Sequence, residues 1–258
     1  MSYALITGAS SGIGYEFAKL FAKDNHNLVL VARREDRLKQ LSRDLEDYYK
    51  IKTMVIPKDL SQSQAALEIY DMLKQKDIII DYLVNNAGFI VYGYFTDTNW
   101  SEEYKMIRLH IETLTYLIKL FLPDMLRRKK GKILNIGSTG SFVPGPFNAV
   151  YCATKSYILS LSEAIAVEVY GTGVTVTALC PGGTKTGFAE RKSDKNSPVY
   201  FFEVMEADKV AQIGYKALMK GKRVVIPGVL NKIQIFLIRF IPRILVSKLI
   251  KIMMSKLY

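Results

Sequence analysis

Cysteine is scarce in this chain: Cys152 and Cys180 are the only two among its 258 residues. Two thiols make no disulfide framework, and each stands in an apolar context suited to a small buried side chain. That usage excludes a disulfide-stapled scaffold and makes a reducing, cytoplasmic setting the default expectation. No Pro-, Gly- or Ser-rich linker, low-complexity tract or internal repeat interrupts the chain, which implies one domain around one core. The N-terminus carries no basic segment, long apolar core or cleavage site, so no signal peptide is expected. The sharpest absence is local. From Lys209 to Tyr258 there is no Asp or Glu against eleven Lys or Arg, which is nearly the whole net charge of +12.

What is present has the balance of a folded globule, with 49% hydrophobic and 23% charged residues. Strand patterns fall at 3–7, 27–32, 53–57, 81–85, 132–137, 174–180 and 223–227. Helical patterns lie between them at 13–23, 37–49, 64–76, 102–127, 149–170 and 208–219. Strands that are apolar throughout indicate a sheet covered on both faces. Their alternation with helices gives a parallel sheet with right-handed crossovers. The expected architecture is a doubly wound α/β sheet, with ligands at the carboxyl ends of the strands. Residues 1–230 would form its catalytic body, and 231–258 a helical extension of the same domain.

The first strand runs into Thr7-Gly8-Ala9-Ser10-Ser11-Gly12-Ile13-Gly14, and a helix follows at once. Glycines there allow a tight turn and close backbone approach to a pyrophosphate, which the helix N-terminus then receives. A dinucleotide fold preferring NAD places an acid at the end of the second strand to bind the ribose 2′-hydroxyl. Here that strand ends Val31-Ala32-Arg33-Arg34. Two guanidinium groups suit a 2′-phosphate, which points to NADP(H), with Arg33 on the phosphate and Ser10 or Arg34 assisting.

Tyr151 and Lys155 share one face of a helix, four residues apart, and Ser138 stands thirteen residues before the tyrosine at a strand end. A nearby ammonium is expected to lower the tyrosine from its ordinary pKa of about 10 toward the range useful for acid–base work.

With these residues in place the chain resembles the short-chain dehydrogenase/reductase family over about residues 3–230, in a Rossmann-type fold. Asp59 and Leu60 stand where that family contacts adenine. Asn86, Ala87 and Gly88 belong to its Asn-Asn-Ala-Gly segment, and Pro181, Gly182, Thr184 and Thr186 to its nicotinamide-side loop. The resemblance implies that Tyr151 protonates the carbonyl oxygen during reduction and that Lys155 binds the nicotinamide ribose. Ser138 would orient the substrate oxygen. One position departs: His110 stands where the family usually carries an asparagine whose main chain holds a relay water. We expect it to preserve a helix irregularity there and to add a group titrating near neutral pH.

The implied activity is hydride transfer between NADP(H) and a carbonyl or alcohol, with apolar ketones, aldehydes or 3-oxoacyl compounds as candidate substrates. A non-catalytic NADP(H) sensor or scaffold of the same fold is the alternative, though such a protein has no need of Ser138, Tyr151 and Lys155 together. Phe142, Val143, Pro144 and Phe147 on one side, and Phe188, Tyr200, Phe201 and Phe202 on the other, would line an apolar substrate site. No metal site and no nucleic-acid module is expected. Family habit implies a homodimer or homotetramer. In the tail, Arg239, Arg243, Lys248 and Lys251 interrupt the apolar run and Pro242 breaks it, which speaks against a transmembrane helix. Beyond Pro242, Lys248, Lys251 and Ser255 share one face and Leu245, Leu249, Ile252 and Met253 another. Such a helix suits an anionic lipid surface or an acidic partner such as an acyl carrier protein, or else packs over the substrate pocket or a subunit interface.

Overall fold

The computed structural model describes residues 3–186 and 204–255. Its first half runs β1 (Tyr3–Thr7), α1 (Gly12–Lys23), β2 (Asn27–Ala32), α2 (Glu35–Tyr49), β3 (Thr53–Pro57), α3 (Ala65–Gln75) and β4 (Ile80–Asn85). The second half continues with α4 (Trp100–Ile107), a π-helical turn (Arg108–Thr113), α5 (Leu114–Arg127) and β5 (Gly131–Ile136). A 3₁₀ turn (Thr139–Phe142), α6 (Ala149–Glu168) and β6 (Val174–Leu179) follow. Then come β7 (Thr184–Lys185), β8 (Met205–Glu206), α7 (Ala207–Met219), β9 (Val224–Val225), α8 (Val229–Leu237), a second 3₁₀ turn (Ile238–Phe240) and α9 (Arg243–Ser255).

Among the described residues seven strands form one parallel sheet in the order β3-β2-β1-β4-β5-β6-β9. Side chains of a strand alternate between its faces, so one short apolar run feeds two cores. Ala4 and Ile6 of β1, with Leu28 and Leu30 of β2, pack against Phe17 and Phe21 of α1 and Leu218 of α7. Leu5, Val29 and Val31 point the other way, into Ile69 and Leu73 of α3 and Leu117 and Phe121 of α5. Each Leu, Ile, Val or Phe among them, fully buried, contributes about 1.5–3 kcal/mol, and β2 is buried at every position.

β1 pairs with β2 on one edge and β4 on the other. The order reverses there, and a crevice opens beyond the carboxyl ends of β1 and β4.

Two elements differ from the sequence pattern. The helix expected over 102–127 starts at Trp100, capped by Asn99, whose side chain accepts from the backbone N–H groups of Ser101 and Glu102. It is then divided by the π turn at Arg108–Thr113. One extra residue per turn hardly disturbs apolar periodicity summed over a long window, so the pattern conceals it. The strand expected over 223–227 shortens to β9, while Pro242 separates α9 from the preceding 3₁₀ turn as its ring requires.

Candidate active site

The glycine turn is built by close packing. Gly8 takes φ +69° and its N–H donates to the Val31 carbonyl at 2.8 Å, carrying the chain across the end of β2. A Cβ on Gly14 would stand 2.5 Å from both the Gly8 carbonyl oxygen and Asn86 Nδ2, so α1 can begin this close to β4 only with a hydrogen there. Thr7 and Asn86 lock the junction. Thr7 Oγ1 donates to the Val84 carbonyl at 3.2 Å and accepts from the N–H groups of Asn86 and Ala87 at 2.9 and 3.0 Å. Asn86 Nδ2 donates to the Thr7 carbonyl at 2.8 Å. Gly12, Ile13 and Gly14 open α1, Ser10 and Ser11 precede it, and its first turn holds no acid. Free backbone donors and a positive dipole end there suit an anion.

At the tip of β2 the two arginines part. Arg34 caps α2 and folds back over the glycine turn, where Nη2 donates to Ser11 Oγ at 2.7 Å and Ser10 Oγ at 3.0 Å. Arg33 is exposed and lies within electrostatic reach of Asp59. Burial opposes the charge of Asp59. The Ser61 N–H and hydroxyl, at 3.0 and 2.8 Å, and the Arg33 guanidinium outweigh it and hold the carboxyl below its ordinary value. Leu60 is buried, and its carbonyl accepts from Thr113 Oγ1 at 2.6 Å, which ties this loop to the π turn. The cradle of glycines, hydroxyls and guanidinium groups fits the phosphates of a nicotinamide dinucleotide.

Ser138 leaves the end of β5 and caps the 3₁₀ turn, its Oγ accepting from the Gly140 N–H at 3.0 Å. Ser141 completes a reciprocal cap on the Ser138 N–H at 3.1 Å and donates to the Lys155 carbonyl at 2.7 Å. Ser156 donates to the Ser141 carbonyl at 2.9 Å. These bonds fasten the Ser138 turn to α6 and bring Ser138 near enough to the Tyr151 phenol to favour its ionised form. Tyr151 and Lys155 are both buried. The expectation that Lys155 depresses Tyr151 is corrected by this geometry. Lys155 Nζ donates to the Ile136 carbonyl at 2.8 Å and stands 5.7 Å from the centre of the Tyr151 ring. Burial pushes the phenol above its ordinary value, with Ser138 opposing, and the same burial brings Lys155 down to about 8.

His110 lies in the π turn, 1% exposed. Thr154 Oγ1 donates to the Tyr151 carbonyl at 2.8 Å, so toward His110 Nδ1, at 2.9 Å, it acts as acceptor. Nδ1 therefore carries the hydrogen, and Nε2 accepts from the Phe89 N–H at 3.3 Å. A ring held between a donor and an acceptor is satisfied when neutral. Burial, reinforced by the Lys155 charge, holds it well below the ordinary histidine range. A group titrating near neutral pH is thus not what the fold makes of His110; the helix irregularity it was expected to accompany is present. Gly88 makes room for the ring, since a Cβ there would stand 2.7 Å from Nε2.

In the loop after β6, the Pro181 carbonyl accepts from the Thr139 N–H at 2.8 Å, joining that loop to the Ser138 turn. Gly182 faces Asn231 of α8, where a Cβ would meet Asn231 Nδ2 at 2.6 Å. Thr184 starts β7, which pairs with β8, and Thr186 reaches to 3.0 Å from where a Cβ on Gly12 would lie. Phe188, Tyr200, Phe201 and Phe202 lie outside the described residues. Phe142 lines a cavity of about 190 Å³ with Ile235, Ile238, Arg239, Ile241 and Arg243. Phe147 is instead buried, its ring edge-on to Tyr94 at 4.8 Å.

Thr113, Ser141, Thr154 and Asn231 support the site without having been singled out in the sequence. A polar residue at a buried helical position was the one signal available for them.

A sequence model of short chain dehydrogenases matches residues 2–197. Human "inactive hydroxysteroid dehydrogenase-like protein 1" is 35% identical over 182 residues, which cover 69% of this chain and 54% of that protein. Human very-long-chain 3-oxoacyl-CoA reductase is 33% identical over 208 residues, 77% of this chain and 65% of the relative. The chain thus spans between about half and two thirds of the lengths of these relatives. A short-chain dehydrogenase from Sphingobium yanoikuyae, solved with NADPH, superposes with a TM-score of 0.82 at 31% identity, covering 94% of this chain and 97% of the other.

Proposed function

Because the chain belongs to the short-chain dehydrogenase family, and so to a group of nucleotide-binding oxidoreductases, we propose that it is an NADP(H)-dependent reductase of an apolar ketone, aldehyde or 3-oxoacyl compound. The observation that carries this reading is the convergence of Ser138, Tyr151 and Lys155 through one hydrogen-bonded turn.

Bound nicotinamide supplies the hydride; the chain supplies the proton and the geometry. Ser138 donates to the substrate oxygen and fixes its place. Tyr151 gives that oxygen its phenolic proton as the carbonyl carbon is reduced. A phenol held above its ordinary pKa by burial stays protonated at neutral pH, as a general acid requires. Lys155, brought to about 8, offers ribose hydroxyls a donor. Preference for NADP(H) rests on Arg34 above Ser10 and Ser11, on Arg33, and on the lack of an acid at the tip of β2. The residues named for cofactor and chemistry fall within 1–230, and we take 231–258 as an extension of that domain.

The likeness to a human protein described as inactive favours a second reading, a non-catalytic NADP(H)-binding protein. NADPH oxidation against a panel of apolar ketones, aldehydes and 3-oxoacyl thioesters separates the two. Turnover that disappears in Tyr151→Phe supports the enzyme, and NADPH binding with no turnover on any panel member supports the second.

A further inference from the structure

The C-terminal helices wear their apolar side outward. In α8, Asn231 and Ile235 are the buried residues, one helical turn apart. The opposite side carries Val229, Ile233, Phe236 and Leu237, continued by Phe240 in the 3₁₀ turn, all between 47% and 73% exposed. Phe236 and Phe240 pack on each other, ring centres 5.3 Å apart, and Lys232 and Arg239 flank the stripe. In α9, Val246 is the buried residue, while Ile244, Leu245, Leu249 and Ile252 are 47–63% exposed beside Lys248 and Lys251. A soluble surface helix has the reverse arrangement, and apolar exposure on this scale marks an interaction site.

Charge decides what covers it. A second copy docking face to face would set Lys232, Arg239, Arg243, Lys248 and Lys251 against their own counterparts. No acid between residues 209 and 258 is there to answer them. An anionic surface complements them along the whole length, and a bilayer also accepts an apolar stripe that has no matching groove. No helix among the described residues is long and apolar enough to cross a membrane, so the helices would lie in the interfacial plane. We propose that α8 and α9 dock this protein onto an anionic lipid bilayer. Ile235 of α8 and the junction leading into α9, Ile238 to Arg243, line the cavity containing Phe142, four residues beyond Ser138, and α8 abuts Gly182 through Asn231. Docking would therefore bring the reaction centre's apolar edge to the lipid.

The test is flotation of the full chain with phosphatidylglycerol/phosphatidylcholine vesicles and with pure phosphatidylcholine vesicles. Light scattering of the free protein runs alongside. The expected result is capture by the anionic vesicles, weakened by salt. Lys248→Gln with Lys251→Gln should lower that affinity about twenty- to thirtyfold, at about fivefold per charge. Phe236→Ser with Phe240→Ser should lower it at least tenfold. All four positions are exposed, so the variants should keep wild-type thermal midpoints and NADPH binding. Capture no better than on neutral vesicles overturns the proposal. So does a fall in oligomeric mass in the Phe236→Ser, Phe240→Ser variant, which would make the stripe a contact between copies.

Discussion

Replacing His110 with Gln tests whether the ring is held neutral. Gln keeps an acceptor for the Phe89 N–H and a donor for Thr154 but has no proton to gain. An unfolded histidine titrates near 6.5, whereas burial and Lys155 hold His110 well below that in the folded chain. Below about pH 6.5 the unfolded state therefore binds a proton that the folded state refuses. Stability falls as pH drops through that value and is complete above it. The slope is at most about 1.36 kcal/mol per pH unit, which integrates to a ceiling of about 2 kcal/mol between pH 7 and pH 5. Urea unfolding of wild type and His110→Gln at both pH values isolates the contribution, because the carboxylates and His26 are common to both. Wild type should lose up to about 2 kcal/mol more than the variant across the interval. Equal losses would refute the tautomer assignment and restore a ring free to titrate.

Gly88→Ala should destabilise the protein by about 1–3 kcal/mol, read as a lowered urea midpoint, because its Cβ presses on His110 Nε2 at 2.7 Å. Combining it with His110→Ala should recover part of that loss. Arg34→Ala removes the guanidinium over Ser10 and Ser11 and should cut the NADPH-over-NADH ratio of kcat/KM by about tenfold or more, as the loss of a charge-assisted bond implies; an unchanged ratio leaves the phosphate to Arg33 alone. Lys155→Met should abolish a gain in stability as pH rises from about 8 to 10.5. In that window the folded lysine, lowered to about 8, has shed a proton the unfolded chain still holds. Tyr151→Phe should lower carbonyl turnover by about 10²–10⁴-fold with little change in thermal midpoint, measured with saturating NADPH.

The layered fold was legible because its strands are apolar at every position, and that pattern has few readings other than a sheet covered on both sides. The glycine turn and the Tyr151–Lys155 pair were legible because local spacing alone brings their members together. Legibility ended where long-range packing decides. Nothing near Arg34 in the chain says that it folds over Ser10 and Ser11 rather than projecting into solvent. His110 read as a titrating group because its partners, Phe89 and Thr154, come from distant segments, and only their positions fix the tautomer. Tyr151 went the same way: adjacency to Lys155 suggested a lowered pKa, but burial and the Ile136 carbonyl redirect the ammonium. The outward apolar face of α8 was hidden too, since an apolar helix in a sequence is ordinarily taken as buried.

On the proposed reading, the Ser138 turn and α6 donate a proton to a carbonyl whose carbon would receive hydride from bound NADPH. NADPH deuterated at the transferable position of the nicotinamide ring, incubated with an accepted ketone and the full chain, tests it most directly by mass spectrometry of the alcohol. The alcohol should carry one deuterium at the new carbinol carbon, with product formation strongly reduced in Tyr151→Phe. Alcohol carrying no deuterium, or labelled alcohol formed at the wild-type rate by Tyr151→Phe, would contradict it.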